Sequence, residues 1–397
     1  MAVPMLKPDE RQLDLERLDR LQAQIRAHDC AAGLFYDPTN IRYASGTSNM
    51  QVYGLHNPCR YVFVPAEGPV VLFEFAGCEH LVQGKAAVGE IRNAVAWYHF
   101  IAGDRVEEKA RDWANEIADL MRQHGADNRR LAVDRLDPIG LRALERHGID
   151  VIDGQTVINH ARKIKTPQEQ IAVRAAVANC EAGIQLMYEH LEPGVTEQRL
   201  WSYLHQANIE HGGEWIETRL LTSGPRTNPW YQECSSRVIE AGDMVSFDTD
   251  LIGAFGYSAD ISRSWIAGDR RPSSEQRALY AAAYQQVHDT IPLFRPGVTF
   301  AEIAENSARL PERYRERTNS AIAHGIGLCN EYPLIVSPHL WEDGGIEGMI
   351  EPGMVLCVES FAGEVGGKEG VKLEQQILVT EDGPELLSKY PLEERLL

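Results

Sequence analysis

The chain lacks any apolar run approaching the roughly 18 residues of a membrane span. Its first residues, MAVPMLKPDERQ, show no basic flank followed by an apolar stretch, so neither a membrane segment nor a secretory leader is expected. Basic charge is scarce: 39 Lys and Arg stand against 58 Asp and Glu, a formal net charge of -19. Nucleic acid is therefore excluded as a partner, because its binding depends on Lys and Arg neutralising phosphates. CxxC pairs are missing as well. The seven cysteines, Cys30, Cys59, Cys78, Cys180, Cys234, Cys329 and Cys357, are scattered and odd in number. Reduced thiols in a cytoplasmic protein fit that pattern.

With 397 residues the chain is long for a single core, and two domains are expected. The first, over residues 1–160, reads as an α/β unit. An amphipathic helix near Asp14 to Ala27 carries Leu18, Leu21 and Ile25 at helical spacing. Strand-like runs follow at AAGLFY (31–36), RYVFVPA (60–66) and PVVLFEF (69–75), and later at LAVDRL (131–136) and DVIDG (150–154). Between them a helix shows Val106, Ala110, Trp113, Ile117 and Leu120 on one face.

The second domain, residues 161–397, opens near 158–166, where Thr166, Pro167 and Glu169 spell a capping box. The stripe Val173, Val177, Cys180, Ile184, Met187 and Leu191 then marks a helix packed on a core. This half holds a weak internal repeat. Pro193-Gly-Val-Thr196 recurs as Pro296-Gly-Val-Thr299, and EAGDMVSFD (240–248) is echoed by EPGMVLCVE (351–359). Two such halves related by a pseudo-two-fold would bring Asp248 and Glu359 to one central point.

Six residues in apolar, strand-like contexts of this half carry the chemistry: Asp248, Asp250, Asp260, His324, Glu359 and Glu374. A carboxylate in an apolar run must be paired or bound to a cation, since an isolated buried charge is prohibitively costly. No Lys or Arg cluster accompanies these segments, so two divalent metal ions are expected as the source of positive charge. Side chains alternate along a strand, which points Asp248 and Asp250 the same way. A tight turn containing Gly253 would bring Asp260 back opposite them. The competing reading makes these acids solvated strand ends, or partners of Arg263, Lys368 and Lys372. Tyr36, Trp230 and Tyr231 are candidates to line a pocket for an organic cation, or else plain packing residues.

At these motifs the chain resembles the creatinase/methionine aminopeptidase superfamily, the M24 or pita-bread enzymes. EPGMVLCVE and VKLEQQILVTEDG are its strongest signals. The resemblance implies a mixed α/β (α+β) fold, with a creatinase-like N-terminal domain ahead of a pita-bread catalytic domain. It implies a two-metal centre on Asp250, Asp260, His324, Glu359 and Glu374, and a homodimer acting on a small-molecule substrate. A closer likeness is to the dimethylsulfoniopropionate lyases of DddP type. It rests on GGEWIETRLLTSGPRTNPWYQEC (212–234), FDTDLIG, CNEYPL, DPTNIRYAS (37–45) and LHNPCR (55–60). In that group the first Asp of FDTD joins the metal site, which brings in Asp248.

Two departures stand out. Asp250 and Asp260 are ten residues apart where the peptidases have eleven, and Asn330 occupies a special position. The peptidases carry a second His there, and the lyases an Asp that removes the proton next to the substrate carboxylate. An amide has no useful basicity. Asn330 is left to orient substrate, with Glu331, a neighbouring Tyr or metal-bound hydroxide as the base. The expected activity is lyase-like elimination on a small carboxylate. The alternatives are an Xaa-Pro peptidase or creatinase-like hydrolase, and a non-catalytic binding module. Fe, Mn, Co and Zn all remain open as the metal.

Overall fold

The computed structural model describes residues 7–49, 59–125 and 127–397. Residues 55–58 of the LHNPCR stretch lie outside them. Two compact units divide the chain, Pro8–Arg162 and a larger one built on Lys163–Leu397.

In the first unit the helix Glu10–Ala27 is capped by Asp9, whose carboxylate accepts the backbone N–H of Gln12. It buries Leu18, Leu21 and Ile25. The anticipated strands appear as Ala32–Phe35, Tyr61–Pro65, Val70–Glu74, Arg130–Val133 and Asp150–Asp153. A sixth strand, Val88–Asn93, was not anticipated, because its residues are mostly exposed and lack an apolar alternation. The six form one mixed sheet, with Ala32–Phe35 antiparallel to Tyr61–Pro65 on one side and parallel to Arg130–Val133 on the other. Trp113, Ile117, Leu120 and Met121 of the helix Val106–Gly125 belong to the core cluster of this sheet.

The second unit starts at the capping box: Thr166 accepts the N–H of Glu169, and the Glu169 carboxylate accepts the N–H of Thr166. The helix Pro167–Glu189 buries the anticipated stripe from Val173 to Met187, and ends before Leu191. A glycine lets it come close to the chain just after the strand Leu251–Ile252, for a Cβ on Gly253 would lie 2.8 Å from the Cα of Ala176. The strands form two three-stranded sheets and one five-stranded antiparallel sheet. In the larger sheet Val355–Gly363 lies between Ala321–Ile326 and Gly370–Thr380. The helix Ser274–Thr290 sets Leu279, Tyr280, Ala283 and Val287 into one core with Val358, Val371 and Leu373.

The repeat is visible in the hydrogen bonds. Thr196 bridges Val238, and Thr299 bridges Met349. Gly194 donates to Ile239, while Gly297 donates to Ile350 in the matching place. Each PGVT threonine then N-caps a helix, Glu197–Glu210 or Phe300–Asn306.

Candidate metal centre

The geometry around FDTD differs from the expected continuous hairpin. The strand Met244–Phe247 stops just before Asp248 and pairs with Arg263–Ile266. A separate short strand, Leu251–Ile252, pairs with Ser258–Ala259. Between them Asp250 adopts φ 37°, a left-handed conformation uncommon outside glycine and somewhat favoured by Asp. Alternation along one strand is therefore not what aligns Asp248 with Asp250. The kink does so, and carboxylate oxygens of Asp248, Asp250 and Asp260 all lie within 4.8 Å of one another. The backbone N–H of Asp250 donates to Asp260 Oδ1 at 3.1 Å, and Thr218 Oγ1 donates to Asp250 Oδ2 at 2.8 Å.

The other three side chains come from the five-stranded sheet. Glu359 and Glu374 are direct cross-strand partners, and His324 faces Cys357. Ligand atoms of His324, Cys357 and Glu374 form a second group within 4.8 Å. His324 Nε2 is 3.4 Å from Glu374 Oε1 and 3.9 Å from Asp260 Oδ2. Its Nδ1 lies 3.1 Å from the Gly325 carbonyl, which fixes the ring. Asn319 donates to Glu359.

The group also contains a cation. Lys372 Nζ sits 2.7 Å from Glu374 Oε2, 2.9 Å from Asp248 Oδ2 and 3.0 Å from Glu359 Oε2. Ser262 Oγ lies 2.7 Å from Asp248 Oδ1 and 2.9 Å from Glu374 Oε2. Of the three bases offered by the competing reading, Lys372 does pair with these acids. Arg263 instead donates to the carbonyls of Ser262, Glu374 and Tyr390.

One ammonium does not satisfy the set. Burial, then the charge of Glu374, pushes the Asp248 carboxyl up to about 7. Burial, with Asp250 and Glu374 beside it, drives Asp260 well above the ordinary carboxylate range. Burial opposes a charge on His324, but Glu374 outweighs it and lifts the imidazole to about 9. Burial also opposes the Glu374 charge, and Lys372 and His324 outweigh it, holding that carboxyl well below its usual value. Glu374 Oε1 is buried and accepts no hydrogen bond. Crowded carboxylates, an imidazole and a buried oxygen with coordination to spare are a donor set that fits hard or borderline divalent cations.

The remaining candidates fall in different places. Asn330 is exposed, and its Nδ2 donates to Asp250 Oδ1 at 3.2 Å, so it stands at the edge of the carboxylate group. Glu331 turns its carboxylate onto Lys165, both side chains buried. Tyr231, with φ 68° and 67% exposure, follows Trp230 on the loop after Leu221–Ser223. Partial burial, then the charge of Glu359, raises its phenol above the ordinary value. Trp230 is buried with its ring stacked 5.8 Å from Phe361. Tyr36 belongs to the first unit, where it is buried against Tyr61 and Trp97. It also lines a cavity of about 550 Å³ there, with Trp97, Tyr98 and Asp137.

The profile of Metallopeptidase family M24 matches residues 172–381, and that of the Creatinase/Prolidase N-terminal domain matches residues 17–164. The chain is 41% identical over 396 residues to dimethylsulfoniopropionate lyase DddP of Roseovarius nubinhibens, covering 98% of this chain and 89% of that protein. It is 40% identical to the DddP of Roseobacter denitrificans, covering 98% and 88%. Among solved structures, an Xaa-Pro dipeptidase from Bacillus anthracis superposes with a TM-score of 0.77 at 21% identity, over 96% of this chain and 99% of that one. That likeness establishes the fold. No helix among the described residues is long and apolar enough to cross a membrane.

Proposed function

The chain belongs to metallopeptidase family M24, and from that membership we propose a lyase-like enzyme with two metal ions that eliminates a neutral leaving group from a small carboxylate substrate carrying a cationic head. The observation that carries this reading is the 40–41% identity to two dimethylsulfoniopropionate lyases across 98% of the chain. Asp248, Asp250, Asp260, His324, Glu359 and Glu374 are the side chains proposed to hold the ions. Two bound divalent ions would neutralise these carboxylates and clamp the carboxylate of the substrate.

The chain's own residues define the rest. The exposed Asn330 amide, tied to Asp250, orients substrate at the mouth of the site. The Tyr231 ring is open to a sulfonium or trimethylammonium head, and its phenol, raised in pKa, keeps its proton and donates a hydrogen bond. In the elimination a proton passes from the carbon next to the substrate carboxylate to a solvent water. Its C–H electron pair becomes the new C=C bond, and the C–S pair departs with sulfur. Asn330 cannot take that proton, and the Glu331 carboxylate is committed to Lys165. Cleavage of dimethylsulfoniopropionate is therefore expected to be slow.

The decisive experiment measures dimethyl sulfide released by the metal-loaded wild type and Asn330→Asp. Restoring a carboxylate base should raise the rate about 10²-fold or more. No gain in a folded, metal-loaded variant overturns the reading. The family's peptidase description favours a second reading as a hydrolase, which release of proline from X-Pro dipeptides, lost in Glu359→Gln, would support. We also propose a cytoplasmic homodimer. Resemblance to pita-bread enzymes supports the dimer and seven free cysteines support a reducing compartment; light scattering at twice the chain mass tests the dimer.

A further inference from the structure

Lys372 is 1% exposed, and its ammonium is the point where three of the proposed ligands converge: Asp248, Glu359 and Glu374, all within 3.0 Å. It precedes Glu374 by two residues on the same face of one strand. A lysine suits the place, being a compact charge with three donors on a flexible stem. The three contacts are not equivalent. Asp248 takes Lys372 on Oδ2 and Ser262 on Oδ1, whereas Glu374 takes both on Oε2 and turns Oε1 toward His324 Nε2 at 3.4 Å.

The charges point the same way. Five carboxylates and one ammonium leave four negative charges, which two divalent ions cancel. Remove Lys372 and five remain; remove Asp248 and three remain. We propose that Lys372 is a positioning residue, the fixed counter-ion of Asp248, and that this matched pair sets the charge with which the centre holds its metals. The inference deepens the two-metal reading above and rests on it.

A double-mutant cycle on the full chain tests it. Asp248→Asn, Lys372→Met and the double variant are stripped with chelator and titrated with Zn²⁺ or Mn²⁺ alone. Ions per chain and the dissociation constant of the weaker ion are measured by competition with a chromophoric chelator. Asp248→Asn, which leaves Lys372 without its counter-charge, should weaken the looser ion at least about tenfold. The double variant should recover most of that loss, and the melting temperature of the metal-free protein should fall in Lys372→Met. Losses that simply add in the double variant, or an Asp248→Asn protein that binds both ions like wild type, overturn the pairing. Should Lys372→Met fail to fold, Lys372→Gln replaces it in the cycle, and a double variant that binds the looser ion no better than Asp248→Asn overturns the pairing. A wild type that takes up no metal sinks the two-metal reading itself, which keeps the two failures apart.

Discussion

Removing the carboxylate of Glu197 should loosen the loop that carries Trp230 and Tyr231. Glu197 is completely buried. Its Oε1 accepts from the Ser223 N–H and hydroxyl, both at 2.8 Å. Its Oε2 accepts from the Ser235 N–H at 2.9 Å and hydroxyl at 2.7 Å, and it forms an ion pair with Arg226. One side chain thus ties down both ends of the loop between Ser223 and Ser235. Glu197→Ala strands two backbone N–H groups, each costing about 1–3 kcal/mol, while the two serine hydroxyls can turn to other acceptors. Arg226 is partly exposed, so water recovers much of its lost pairing. The net loss should be about 3–5 kcal/mol. Urea unfolding gives that loss, and hydrogen exchange across 223–235 shows where it falls. In a loaded enzyme, KM should rise more than kcat drops, because the loop carries Tyr231, proposed above to meet the cationic head of the substrate, rather than a proton acceptor. A loss below about 1 kcal/mol, or unchanged exchange across the loop, would refute the reasoning.

Three further outcomes are expected. Lys165→Met takes the cation from the buried Glu331 carboxylate and should cost about 3–5 kcal/mol in urea unfolding; an unchanged midpoint counts against a structural role for the pair. Burial pushes the Asp134 carboxyl up to about 6 against hydrogen bonds from Asn40, Tyr36 and Asp37, whereas an unfolded Asp titrates near about 4. Its folded value is the higher one, so its contribution to stability is full below pH ~4 and is lost as pH rises to ~6, by roughly 2–3 kcal/mol. The wild-type minus Asp134→Asn difference in urea midpoints should follow that window, and a flat difference would be the contrary result. Finally, Cys78 and Cys329 are the partly exposed thiols and the other five are at least mostly buried. A thiol reagent should modify two per native chain quickly and all seven only after unfolding.

What the sequence disclosed, and what it concealed, follows from the range of the forces involved. Capping at Thr166, the apolar stripe from Val173 to Met187 and the paired PGVT turns are local, so their signals sit within a few residues. The six acidic and imidazole positions were legible because an acid in an apolar run is costly anywhere in a fold. The expected hairpin failed at Asp250, where φ 37° breaks the strand and no neighbouring residue advertises the kink. Lys372 entered only through the competing reading as a partner of these acids, although a single lysine two residues before Glu374 already shares its face. A lone base in that position is a signal as specific as the acids around it. Glu197 gave no such warning. Its partners lie 26 to 38 residues away in polar, irregular segments, where neither periodicity nor burial can be read in advance. Sequence therefore locates acids set in apolar runs more readily than the groups that neutralise them, since the run marks the former locally while the latter are defined mostly by contacts between distant segments.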